Sequence, residues 1–115
     1  MAITHAKPGE IVDVRPLGAA LSDTSTWTIV KTETLEVIRI VLPAGKQLPP
    51  HKVPGEITVH CLEGRVEFRV GESKRELTAG KFLFLEGGSE HSLHAGENSS
   101  LLVTILLQRM HAPNN

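Results

Sequence analysis

Apolar and polar residues alternate with a period of two along much of this chain. Arg65-Val66-Glu67-Phe68-Arg69-Val70 shows the pattern most cleanly. Successive strand residues point to opposite faces, so Val66, Phe68 and Val70 should meet a core while the charged residues face water. The same reading predicts strands over 27–31 and 35–42, joined as a hairpin by Thr32-Glu33-Thr34, and over 57–62, 91–94 and 100–107. A short strand over 10–16 should stop at Pro16. Residues 74–77 predict a polar edge strand, protected from stray pairing by its charges. Residues 81–85 are mostly apolar and predict a strand covered on both faces, and Phe68, Phe82, Phe84 and Trp27 read as core. Pro49, Pro50 and Pro54 make 47–54 a loop. Only 17–21 hints at helix, and Gly18 weakens it.

Short strands, glycine turns and no convincing helix indicate an all-β sandwich or barrel. Neither a repeat nor a linker divides the chain. The expectation is one domain over 1–115, with an N-terminal arm at 1–9 and a tail at 108–115.

Composition narrows the function classes. A chain of 115 residues can build a core without staples. Its net charge is -1 and no basic stripe is present, which argues against nucleic acid. One Trp, three Phe and no Tyr leave little for stacking on bases or sugars. The apolar run at 101–107 is far too short to span a bilayer, so no membrane association is expected. The first nine residues lack the apolar stretch of a signal peptide. The single cysteine, Cys61, fits a reducing compartment, and a cytoplasmic location is expected. Ser89 and Ser92 have no acid-base partner at triad spacing, so nucleophilic hydrolysis has no support.

Two blocks carry the candidate chemistry. In the first, Gly45 is followed after five residues by His51, then by a strand that ends at Leu62-Glu63-Gly64. In the second, Gly80 leads into an apolar strand, Gly87-Gly88 and then His91. Two strands delivering two histidines suggest a shared pocket.

These blocks resemble the cupin superfamily, small single-domain β-barrels of jelly-roll type. The family's first motif is G-x5-H-x-H-x3-E-x6-G. Gly45, His51 and Gly64 match it, Val53 stands where the second histidine falls, and Ile57 stands at the glutamate, with Glu56 one residue early. The second motif is G-x5-P-x-G-x2-H-x3-N. Gly80, Gly88 and His91 match, while Glu86 and Ala95 replace the proline and asparagine. The resemblance covers 38–107 and implies a single cupin jelly-roll barrel. It also implies a divalent transition metal (Zn, Fe, Ni or Mn) held by histidines and a carboxylate, of which only His51 and His91 remain at the motif positions.

Each candidate has a plainer reading. His51 and His91 are metal ligands or simply polar residues lining a pocket. Glu56 is a replacement ligand if a bulge at Pro54-Gly55 turns it inward, and a solvated carboxylate if strand alternation holds. Gln47 is a neutral ligand or an exposed loop residue. Cys61 shares the inward face with Ile57, as a soft ligand or a small buried hydrophobe. His60 and His94 fall on the opposite faces of their strands. The leading expectation is a small-molecule binder with a degenerate metal site. The alternative is a metal-dependent dioxygenase or isomerase, and a third reading is a purely structural role. A homodimer is compatible with all three, because pairing covers sheet edges.

Overall fold

The computed structural model describes residues 5–107, so the tail at 108–115 and the first four residues of the arm lie outside the described residues. Nine strands follow a single turn-rich lead-in: β1 (Trp27–Lys31), β2 (Leu35–Leu42), β3 (Gln47–His51), β4 (Ile57–Glu63), β5 (Arg65–Val70), β6 (Ser73–Thr78), β7 (Phe82–Leu85), β8 (His91–Ala95) and β9 (Ser99–Leu106). They form a five-stranded sheet, β1-β2-β9-β4-β7, and a four-stranded sheet, β3-β8-β5-β6. All paired neighbours are antiparallel. The all-β expectation therefore holds, as two sheets that no backbone ladder among the described residues joins into a closed barrel.

The core lies between the sheets. Ile57, Val59 and Cys61 of β4 alternate with more exposed neighbours, as do Val66 and Phe68 of β5. Leu42, Leu93, Leu101 and Val103 complete the same cluster. Gly64 makes the turn from one sheet to the other. It has φ +88, and an added Cβ would lie 2.2 Å from Ser99 Oγ, so only glycine fits.

Five expectations need correction. Residues 10–16 form no strand, and Ile11 is 94% exposed. The helical hint at 17–21 becomes a 3-10 helix over Gly18–Asp23, with Leu21 buried. β7 is an edge strand rather than a covered one. Leu85 turns inward, but Phe82 is 63% and Phe84 53% exposed, so neither phenylalanine is core. Trp27 is only half-buried, while Phe68 is core as expected. The proline loop contains an edge strand, β3, tolerated because a proline lacking its N–H costs little where one side has no partner. By contrast β6 is the polar edge strand that its charges predicted.

The outer face of the five-stranded sheet holds a buried ion pair. Arg39 is only 1% exposed and projects away from the core, since its neighbours Ile38 and Ile40 face inward. Its guanidinium donates to Arg15 O at 2.8 Å, to Ser100 Oγ at 3.1 Å and to Glu63 Oε2 at 3.3 Å, and lies 5.8 Å from the Trp27 ring centroid. Glu63 in turn accepts the Leu17 and Gly18 backbone N–H groups. The segment before β1 is thereby pinned across three strands. Among the described residues Arg39 Nε has no hydrogen-bond partner, and the Trp27 ring offers its electron-rich face to the cation.

Candidate functional site

His51 closes β3 and His91 opens β8, and the two residues are register partners. β3 needs a bulge to achieve this. Leu48 pairs with Leu93 and His51 with His91, so three steps along β3 match two along β8. Strict alternation would send His51 to the face opposite Leu48; the extra residue, at Pro49-Pro50, returns it to the same face. Leu48 and His51 accordingly both line the internal cavity.

The loops beyond the two histidines are stitched together. Gly88 N–H donates to Val53 O at 2.8 Å. A Cβ on Gly87 would sit 2.1 Å from Pro54 O, so the close approach of the two loops depends on glycine at this position. The imidazoles end up 4.3 Å apart, centroid to centroid, at 60°. On its other side His91 stacks on Phe68 at 5.6 Å and 14°.

Backbone carbonyls fix both rings. His51 Nδ1 lies 3.0 Å from Pro49 O, and His91 Nδ1 lies 3.0 Å from Ser89 O. A carbonyl can only accept, so each Nδ1 carries the hydrogen, and in the neutral ring each Nε2 keeps its lone pair. Burial pushes the His91 pKa below its ordinary value. The Ser89 carbonyl opposes that shift and the charge of a protonated His51 reinforces it. His91 is 5% exposed, whereas His51 is open to solvent, so one imidazole sits inside and the other at the mouth.

The cavity has a volume of about 120 Å³. Its walls include Ile38 and Ile40 of β2, Leu48 of β3, Val53, Val59 of β4, Phe68 of β5 and Val103 of β9. Of the described residues lining it, only His51 and His91 are polar.

The other candidates do not join them. Glu56 is exposed and its neighbour Ile57 faces the cavity, as alternation required. Gln47 pairs with His94 and shares an outer groove with Glu67 and Arg69 on the far side of the four-stranded sheet. Cys61 is buried, but its thiol lies 3.4 Å from Glu63 O, away from the cavity lining, and burial raises its pKa. Among the described residues no three His, Cys, Asp or Glu side chains converge in a metal-binding group. Two imidazoles without a carboxylate are one ligand short of the three protein ligands of a catalytic zinc centre, so a metal held here would need a further ligand beyond this lining.

Sequence reasoning found the two histidines and turned Ile57 and Phe68 inward, but missed most of the walls. Val53 reads as a departure from the first motif, yet it lines the cavity. Arg39 and Glu63 also went unread. The available signal was an arginine inside the apolar run Val37-Ile38-Arg39-Ile40-Val41-Leu42, where a charge must find a partner.

Comparison with known proteins agrees with this geometry. The family model of the cupin domain matches residues 38–106. The structure is similar to that of a conserved protein of unknown function from Streptococcus pyogenes, with 19% identity, 96% of this chain and 100% of that chain covered, and a TM-score of 0.74. It is also similar to an RmlC-like cupin from Desulfovibrio desulfuricans, with 24% identity, coverage of 84% and 97%, and a TM-score of 0.70. A third similar structure is the DMSP lyase DddQ from Ruegeria pomeroyi, with 22% identity, 85% of this chain but 54% of that chain covered, and a TM-score of 0.65. Likeness at these identities speaks to the fold. Among curated proteins none matches. With a family model spanning more than half its length over two antiparallel sheets, the chain belongs to the cupin family.

Proposed function

We propose that this cupin binds a small organic molecule in the cavity between its sheets, with His51 and His91 as the polar anchors. One observation carries the reading: an apolar cavity whose only polar lining groups are two imidazoles held 4.3 Å apart. Ligand sites are typically apolar enclosures with a few oriented polar groups. The fold is read here as a cupin jelly roll, with the cavity as its interior. A fragment screen by thermal shift on wild type, His51→Ala and His91→Ala tests the proposal. Stabilising fragments that lose their effect in both folded variants support it. A substrate turned over at a rate that vanishes in His51→Ala would replace binding by catalysis.

A metal-dependent enzyme of dioxygenase or isomerase type is the second reading. It is favoured by the Nδ1–carbonyl anchoring of both rings, the arrangement that orients metal-bound histidines. Elemental analysis of protein purified without chelator decides it: near-stoichiometric metal, lost in both alanine variants, selects the enzyme.

The proposal extends to a homodimer. β7 is a four-residue edge strand without a charged residue, and two of its residues, Phe82 and Phe84, are exposed. A two-fold axis pairs such an antiparallel edge with its own copy. The lone buried thiol of Cys61 suits a reducing cytoplasm, the location proposed here.

A further inference from the structure

Resting on the binding reading above, we infer that the cavity selects neutral molecules that donate a hydrogen bond, such as compact five-carbon alcohols, over carboxylates of the same carbon skeleton. The tautomers decide this. Each Nδ1–H is already given to a backbone carbonyl, at Pro49 and Ser89. What remains for a ligand is a pair of lone pairs, one on each Nε2. A hydroxyl hydrogen satisfies such an acceptor. A carboxylate brings only acceptors, so it would set lone pair against lone pair.

Charge points the same way. Among the described residues, no lysine or arginine lines the cavity to balance a carboxylate, and no aspartate or glutamate lines it to balance an ammonium. A buried charge without a partner is strongly disfavoured, which leaves a neutral head group. Size sets the body. The cavity measures about 120 Å³. Apolar cavities of about 150 Å³ accept benzene, so this smaller one suits a body of at most about five carbons, with the hydroxyl toward the solvent-open mouth at His51. Ile38, Val59 and Val103 supply the methyl groups that would pack against it.

The test pairs 3-methylbutan-1-ol with 3-methylbutanoate at pH 8, following the methyl resonances of Ile38, Val59 and Val103. The alcohol should shift them, with an affinity at least about tenfold above that of the carboxylate. Equal or tighter binding of the carboxylate overturns the selectivity and leaves the binding proposal standing. If neither compound shifts the methyls, the binding proposal fails, and this inference with it. Side-chain nitrogen spectra give a readout that needs no ligand. Both histidines should carry hydrogen on Nδ1; hydrogen on Nε2 of either ring overturns the selectivity whatever binds.

Discussion

At the scale of single residues, His91 and Glu63 are held away from their ordinary behaviour in ways that couple stability to pH. His91 is neutral by preference, because burial disfavours its charged form. Its folded pKa is depressed, so below about pH 6.5 the unfolded chain binds more protons than the folded one. The associated stability is full above the unfolded pKa and is lost as the pH falls below it. Urea unfolding from pH 8 to 5.5 should therefore show declining stability, and His91→Phe should flatten that decline. An unchanged slope in the variant would assign the decline to another group. Glu63 shifts by a different balance. Burial alone would raise its pKa, but hydrogen bonds from Leu17 N–H, Ser100 and Gly18 N–H, together with the Arg39 charge, outweigh burial and hold it low. Its contribution is present above the ordinary carboxylate range and disappears as the pH falls through the folded value. Glu63→Gln preserves the shape but strips Arg39 of its counter-charge. Breaking a buried pair from one side costs about 3–5 kcal/mol. Glu63 keeps 15% side-chain exposure, which places the expected loss toward the lower end of that range. Urea denaturation at pH 7 measures it; a loss below about 0.5 kcal/mol would mean that the pair behaves as a surface one.

At the scale of elements, the site depends on one bulge and one loop contact. Gly87→Ala places a methyl group where the Pro54 carbonyl lies. The loops must separate, carrying His51 away from His91. The expected result is a destabilisation of about 1–3 kcal/mol, with weaker binding in the cavity, read by calorimetric melting and the methyl titration. Wild-type affinity in a stable Gly87→Ala protein would show that the stitch does not position the rings. The elements themselves were largely legible. The period-two pattern located β1, β2, β4, β5 and β9 to within a residue or two at their ends. Position within a sheet was legible for the charged edge β6 but not for β7, because an apolar run such as Phe82-Leu83-Phe84-Leu85 fits a central strand and a two-faced edge equally well. The β3 bulge was hidden too. Two adjacent prolines argue for a loop, and only the pairing of β3 with β8 makes them an edge strand with one residue to spare.

At the scale of the molecule, β7 leaves one edge of the larger sheet open. Phe84→Lys adds a charge beside that edge, and the expected outcome is a shift from dimer to monomer in light scattering behind size exclusion. Wild-type protein that is monomeric at high concentration would rule the dimer out. The site was half legible at this scale. Glycine-histidine spacing found both imidazoles because each block is local. Most of the apolar walls were not recoverable, because they come from both sheets and from strands far apart in sequence. Such gathering has a temporal side, seen best on the outer face. The Arg39–Glu63–Ser100 cluster draws on β2, β4 and β9, so it exists only once β9 has inserted between the other two. Residues 15–18, early in synthesis, then lack their completed cluster until the last strand brings Ser100 to Arg39 and Glu63. The beginning of the chain should be the end of its folding. In pulse-labelled hydrogen exchange, the Leu17 and Gly18 amides should gain protection no earlier than those of β9; earlier protection would contradict this order.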